Sequence, residues 1–154
     1  MDGLIKNLAS EDMDRVLSIQ RSCYPPFYHE SRETFERLLE IFPEGCIGSD
    51  AGYAFVHPWV TNSYVPLNSE YLRLPDAPDC MYIHDLSVLP EQRGKGAGRK
   101  IFFRILELTH EKGFRYMELV AVQRSEIYWQ KLGFKETKEI VYGGGGAKLM
   151  ILEL

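Results

Sequence analysis

The sequence predicts a mixed α/β fold, a sheet flanked by helices, within a single domain spanning residues 1–154. Three observations carry that expectation. Short runs rich in Val, Ile, Tyr and Phe recur between turn residues, as strands do. Apolar residues at helical spacing fill several of the intervals between them. A glycine-rich stretch, "PEQRGKGAGRKIF" at 90–102, joins the clearest strand to the clearest helix. A chain of 154 residues can bury one core, and no repeat or linker divides it.

Taken in order, "LIKNL" (4–8) reads as a first strand. Ser10 then precedes Glu11 and Asp12, and Met13, Val16 and Leu17, with Gln20, form a helical face whose N-cap is Ser10. Pro25 and Pro26 end that helix. Ser31 restarts one with the stripe Phe35, Leu38, Leu39 and Phe42, stopped by Pro43 and Gly45. "CIGS" (46–49) and "GYAFVHPWV" (52–60) read as strands joined at Asp50–Gly52. Residues 61–79 have no period, and so long an irregular segment in a compact domain is usually functional or mobile. "CMYIHDLSV" (80–88) is a strand, and Ala97, Ile101, Phe102, Ile105 and Leu108 mark a helix up to Lys112–Gly113. "YMELVAV" (116–122) is a strand and "SEIYWQKL" (125–132) a short helix closed by Gly133. Two strands, 134–142 and 147–154, flank the turn "GGGG" (143–146).

Composition excludes several classes. With 18 Lys and Arg against 22 Asp and Glu, the net charge of -4 argues against broad electrostatic binding to nucleic acid, which needs a basic face. No run approaches the ~20 apolar residues that cross a bilayer. Cys23, Cys46 and Cys80 are odd in number and lack metal-ligand spacing. With no leader sequence in view, these read as reduced thiols of a cytoplasmic protein without a metal site.

The glycine stretch admits three readings. A P-loop needs Ser or Thr after its Gly-Lys pair, which is missing here. A dinucleotide fingerprint needs a third glycine where Arg99 stands. The pattern that remains is R-x-x-G-x-G, met by Arg93, Gly96 and Gly98 between a strand and a helix. Glycines there let the backbone wrap a phosphate while the helix N-terminus points N–H groups at it.

"LSVLPEQRGKGAGRKIF", followed by "YWQKLGF", resembles the GNAT superfamily of N-acetyltransferases, whose acyl-CoA loop is R/Q-x-x-G-x-G/A. The order of elements is similar along nearly the whole chain. The resemblance implies a central, mostly antiparallel sheet with splayed strands, and acetyl-CoA as co-substrate. It implies that backbone amides from Arg93 through Gly94, Lys95, Gly96 and Ala97 to Gly98 hold the pyrophosphate, with charge from Arg99, Lys100 and Arg124 nearby. Leu86, Ser87 and Val88 would offer backbone groups to the pantetheine. Gln123 and Ser125 stand where family members often place an Asn that bonds it.

His84 stands where arylalkylamine members of the family carry a strand histidine that takes the proton of the acceptor amine, a task suited to a base near pKa 7. Plain alternation puts Tyr82, His84, Leu86 and Val88 on one face and Asp85 on the other, unless a bulge disturbs the count. Asp85 is a candidate to orient His84, to bind the ammonium, or to cap such a bulge. A structural strand histidine is the competing reading of His84. "YWQKLGF" departs from the family: the Tyr that protonates the CoA thiolate is usually where Trp129 stands, and an indole N–H is a poor acid. Tyr128, one residue earlier, is rotated by ~100° on a helix and reads as core. Tyr128, Tyr142 or no acid at all remain as alternatives. Tyr24, Phe27, Tyr28 and His29, in the turn between the first two helices, are candidates to wall the acceptor site. Such a wall suits an aryl or hydrophobic amine, or a cation against a ring face.

These residues lead to the expectation of acetyl transfer to a small primary amine by direct attack in a ternary complex. The alternatives are an acyl-CoA sensor without transfer, or a protein acetyltransferase. A homodimer is compatible with either reading.

Overall fold

The computed structural model describes residues 4–154. One seven-stranded sheet organises them. Its strands are β1 (Lys6–Asn7), β2 (Cys46–Ser49), β3 (Gly52–Trp59), β4 (Cys80–Val88), β5 (Tyr116–Ala121), β6 (Lys135–Tyr142) and β7 (Gly145–Glu153). The strand order is β1-β2-β3-β4-β5-β7-β6, and every pair is antiparallel except β4–β5. Helices α1 (Met13–Cys23) and α2 (Arg32–Ile41) pack on one face of the sheet, and α3 (Ala97–Glu111) packs on the other. The short helix α4 (Glu126–Lys131) joins the α3 side through Trp129.

The helices form for the reasons their spacing predicts. Phe35 and Leu38 of α2 are buried against Tyr53 and Phe55 of β3, with the Phe35 and Phe55 rings stacked at 4.7 Å. Ser31 caps α2, its hydroxyl accepting the Thr34 N–H at 3.2 Å. On the other face Ile101, Phe102, Ile105 and Leu108 of α3 lie against Ala54, Val56, Met81 and Ile83. Burying four such side chains contributes roughly 6–12 kcal/mol before entropy is counted.

Some boundaries differ from the sequence reading. The first strand is only two residues long, because Leu8 turns into the core beside α1. Ser10 is not the cap of α1: residues 10–12 make a single 3-10 turn, and Asp12 accepts the Ala9 N–H at 2.9 Å. The tetraglycine run is a tighter turn than its length implies, with Gly145 and Gly146 already in β7. Further single 3-10 turns begin at Pro26, Pro43 and Pro90, where proline sets φ for the first position.

Two irregularities build the site. β4 and β5 pair only from Met81–Ile83 to Met117–Leu119, and beyond Ile83 they diverge. Among the described residues the edge of β4 that faces β5 therefore has no strand partner from His84 onward. On its other edge β4 bulges. Phe55 pairs with Asp85 and Val56 with Ile83, so His84 is the extra residue. Plain alternation fails at this point, and Tyr82, His84, Asp85 and Ser87 all face α1 and α2.

Candidate functional site

Where β4 and β5 part, a cleft of about 680 Å³ opens between the start of α3 and the turn after α1. Its two ends differ in chemistry. One end is the glycine stretch. Arg93, Gly94, Gly96, Ala97, Gly98 and Arg99 line it, whereas Lys95 does not. Gly96 is the N-cap of α3 at φ 90°, and no side chain caps the helix there. Among the described residues no side chain partners the first-turn N–H groups of α3, which suits them to an anion. Leu86, Ser87 and Val88 border the cleft along the unpaired edge of β4, and Gln123 and Ser125 border it from the turn after β5.

The other end holds the titratable groups. Nε2 of His84 meets a carboxylate oxygen of Glu30 at 2.9 Å, with both side chains almost fully buried. Glu30 is held on every polar atom. Its second carboxylate oxygen accepts the Asn68 N–H at 3.0 Å. Its own N–H donates to Gln20 at 2.7 Å, and Gln20 donates back to its carbonyl at 3.0 Å. The His84 ring is thus oriented by α1, by the turn after it and by the 61–79 segment. Among the described residues Nδ1 of His84 is buried without a partner. Burial works against protonation of His84, but the Glu30 charge and hydrogen bond, with Asp85, outweigh it and raise the pKa above its ordinary value.

Asp85 does not touch His84. Its oxygens accept hydrogen bonds from Tyr24 (3.2 Å), Ser87 (3.0 Å) and Tyr53 (2.7 Å). Burial raises its pKa despite these donors and the nearby His84. The same burial, together with Asp85, lifts the phenols of Tyr24 and Tyr53 well above the usual tyrosine range. Asp85 therefore ties the end of α1 to β3 beside the bulge, and the residue that orients His84 is Glu30. A lone acid after "YPPFYH", 54 residues from its partner, carries no local signal that could have singled it out.

Tyr24, Tyr28 and Tyr142 wall this end, and Tyr142 donates to the Val65 carbonyl at 2.8 Å. Phe27 is not in the cleft: it is half exposed and lies under the tetraglycine turn. His29 bonds the Tyr24 carbonyl through its ring at 2.7 Å. A Cβ on Gly143 would lie 2.9 Å from Leu67 and 3.0 Å from the Phe27 carbonyl, and one on Gly144 2.9 Å from the Phe27 ring. Only glycines let the β6–β7 turn dock so closely on the 26–28 turn and the 61–79 segment.

Tyr128 and Trp129 exchange the places the sequence suggests. Both border the cleft, but Trp129 is 7% exposed and packs in the core against Phe102 and Phe134, whereas Tyr128 is 41% exposed. The Tyr128 hydroxyl lies beside Gly98 at the start of α3. Burial raises its pKa, opposed by Arg99. Cys23, expected as an inert near-core residue, borders the cleft and donates its thiol to the Val88 carbonyl.

The profile described as "Acetyltransferase (GNAT) family" matches residues 13–134. The chain belongs to the GNAT family. An uncharacterized N-acetyltransferase of Bacillus subtilis (strain 168), YkwB, is 25% identical over 150 residues, covering 82% of this chain and 62% of YkwB. The chain thus spans less than two thirds of that relative's length. Among solved structures, a GNAT-like decarboxylase, GphF, in complex with isobutyryl-CoA superposes with a TM-score of 0.79 at 15% identity, over 97% of this chain and 98% of that one. A chain of the NatC complex bound to Gag peptide and CoA superposes with 0.74 at 19% identity, over 100% and 99%. This GNAT chain therefore shares its fold with proteins seen bound to CoA or an acyl-CoA. No helix among its described residues is long and apolar enough to cross a membrane.

Proposed function

We propose that this GNAT chain transfers the acetyl group of acetyl-CoA to a small primary amine. The observation that carries the reading is one continuous cleft with the α3 N-terminus at one end and the His84–Glu30 pair at the other. The glycine stretch from Arg93 to Gly98 takes the pyrophosphate, and the open edge of β4 at Leu86–Val88 takes the pantetheine arm. That arm directs the thioester toward the bulge. The amine arrives as an ammonium and gives up a proton to Nδ1 of His84, directly or through one water, while Nε2–H stays on Glu30. The nitrogen then attacks the thioester carbonyl, an N–H group of the β4 edge stabilises the oxyanion, the carbon–sulfur bond breaks, and the nitrogen sheds its second proton to water or to the departing thiolate. Tyr128 is the phenol on the cleft wall that can return a proton to the departing sulfur.

A polypeptide acceptor is the second reading, since a structural neighbour is bound to a peptide. The docking of Gly143 and Gly144 on the 26–28 turn and Leu67 favours the small acceptor, because a chain running past His84 would have to part that seam.

Two measurements test the proposal. In calorimetry acetyl-CoA is expected to bind, and Gly96→Ala to weaken it about tenfold, the equivalent of the ~1–2 kcal/mol that a Cβ costs in left-handed backbone. CoA release is then followed across small amines and across peptides. Binding with no turnover on either points to an acyl-CoA sensor, and turnover confined to peptides overturns the small-amine reading.

A further inference from the structure

The acceptor end of the cleft is unbalanced in charge. Glu30 and His84 compensate one another across 2.9 Å whenever the ring is protonated. Among the described residues Asp85 has no such partner. The groups that bond it are three hydroxyls, which stabilise an anion without cancelling its charge. Apart from His84, the cations that line the cleft among the described residues are Arg93 and Arg99, and both belong to the glycine end. Arg93 is tied to the Val88 carbonyl at 3.2 Å, three residues beyond Asp85, which is about 10 Å of strand. Arg99 stands in the first turn of α3.

Building on the acetyl-transfer reading above, we propose that the acceptor is a compact primary amine that bears no carboxylate, a decarboxylated amine rather than the corresponding amino acid. The net negative end of the cleft attracts an ammonium. An α-amino acid would bring its carboxylate in beside that ammonium. It would meet Glu30 and Asp85 and find no free cation. An anion desolvated among anions is strongly disfavoured, so the site selects by repulsion as well as attraction. The rest of the acceptor meets the rings of Tyr24, Tyr28 and Tyr142 and the Leu67 side chain, surfaces that suit an aryl or branched alkyl body.

The test uses matched sets with one body and different charge: phenethylamine, phenylalanine and phenylalaninamide; tyramine, tyrosine and tyrosinamide; isoamylamine, leucine and leucinamide. Initial rates of CoA release give kcat/KM for each. The same compounds are titrated calorimetrically into the protein saturated with CoA, so that the preference is read whether or not transfer occurs. Each amine is expected to exceed its amino acid about 100-fold or more, with the amides within about tenfold of the amines. Amino acids accepted within tenfold of their amines overturn the proposal. Amides rejected as strongly as the acids also overturn it, because bulk rather than charge then decides. If nothing in the panel turns over, binding of the amines but not the acids upholds the charge preference and removes only the transfer reading. Equal binding of both, or of neither, overturns the preference itself.

Discussion

His84→Ala is expected to lower kcat about 10²–10⁴-fold near pH 7, the range a positioned general base contributes. Glu30→Gln is expected to lower it by roughly 10- to 100-fold and to move the pH profile as well. Both oxygens of Glu30 are used as acceptors, one by His84 and one by the Asn68 N–H. An amide offers one acceptor: one orientation of Gln sets its NH2 against the Asn68 N–H, and the other turns it to Nε2 of His84, whose ring must then carry its proton on Nδ1 and lose the free base. The profile follows from the groups around the ring. Glu30 and Asp85 favour the imidazolium, burial opposes it, and His57 lies on the same face with ring centroids 5.9 Å apart. His57 is pushed down to about 3, by burial first and then by His84, with its Pro58 contact opposing, so it stays neutral throughout. A base works only after losing its proton. The kcat of the wild type should therefore rise with pH through an inflection above 6.5, the ordinary histidine value. Without the Glu30 charge, burial dominates, and the inflection should move to lower pH. In His84→Ala the inflection should vanish, and kcat should climb toward the amine's own pKa. An unchanged profile in Glu30→Gln, with native thermal stability, would remove Glu30 from the mechanism. Stability follows the opposite course. A histidine with a raised folded-state pKa stabilises the protein fully below its unfolded value, and that contribution is lost as pH rises through the folded value.

The helices and most strands were legible because their signals are local. The stripe Phe35–Leu38 and the α3 set from Ile101 to Leu108 declare a face within one or two turns of chain, and Pro and Gly mark where each stops. The glycine stretch was legible as the start of α3 for the same reason, since its glycines lie between a strand and a helix that both show locally. The His84 end of the cleft was legible only in part. His84 can be singled out from its place in β4, but which way it and Asp85 point depends on a bulge, and a bulge is a property of the pairing with β3. Glu30 meets His84 only after the α1–α2 turn folds back over the sheet, so neither residue's sequence neighbourhood contains the other. The same holds for the seam at Gly143–Gly144: four glycines announce a turn, but not that the turn docks on Phe27 and Leu67.

The order of Tyr128 and Trp129 yields the second large expected effect, and it falls on stability rather than on chemistry. Trp129→Ala should destabilise the protein by about 3–5 kcal/mol, because a buried indole is removed from between Phe102 and Phe134 and the cavity remains. In a chain of this size that lowers the melting temperature on the order of 10 °C. Tyr128→Phe removes one oxygen from a part-exposed ring and should alter stability by no more than about 0.5 kcal/mol. Its kcat should fall about tenfold or less, since a thiolate of pKa ~8.5 leaves tolerably without an acid. The rotation that separates the two residues is set before α4 begins. Gln123 and Arg124 adopt left-handed backbone at φ 55° and 62°, and neither is glycine, so periodicity alone misplaces the faces of the helix that follows. At the other end the Phe134 N–H returns to the Trp129 carbonyl at 3.1 Å and holds the indole side inward. Transposing the pair, Tyr128→Trp with Trp129→Tyr, therefore restores the family's usual spelling without its geometry. The new phenol would be buried among aromatic carbons, where an unmade hydrogen bond costs about 1–3 kcal/mol, and the more exposed position 128 would carry an indole in place of its phenol. The transposed protein should melt lower and turn over more slowly than the wild type. A gain in kcat at unchanged stability would show that a phenol at position 129 serves the departing thiolate better than one at 128.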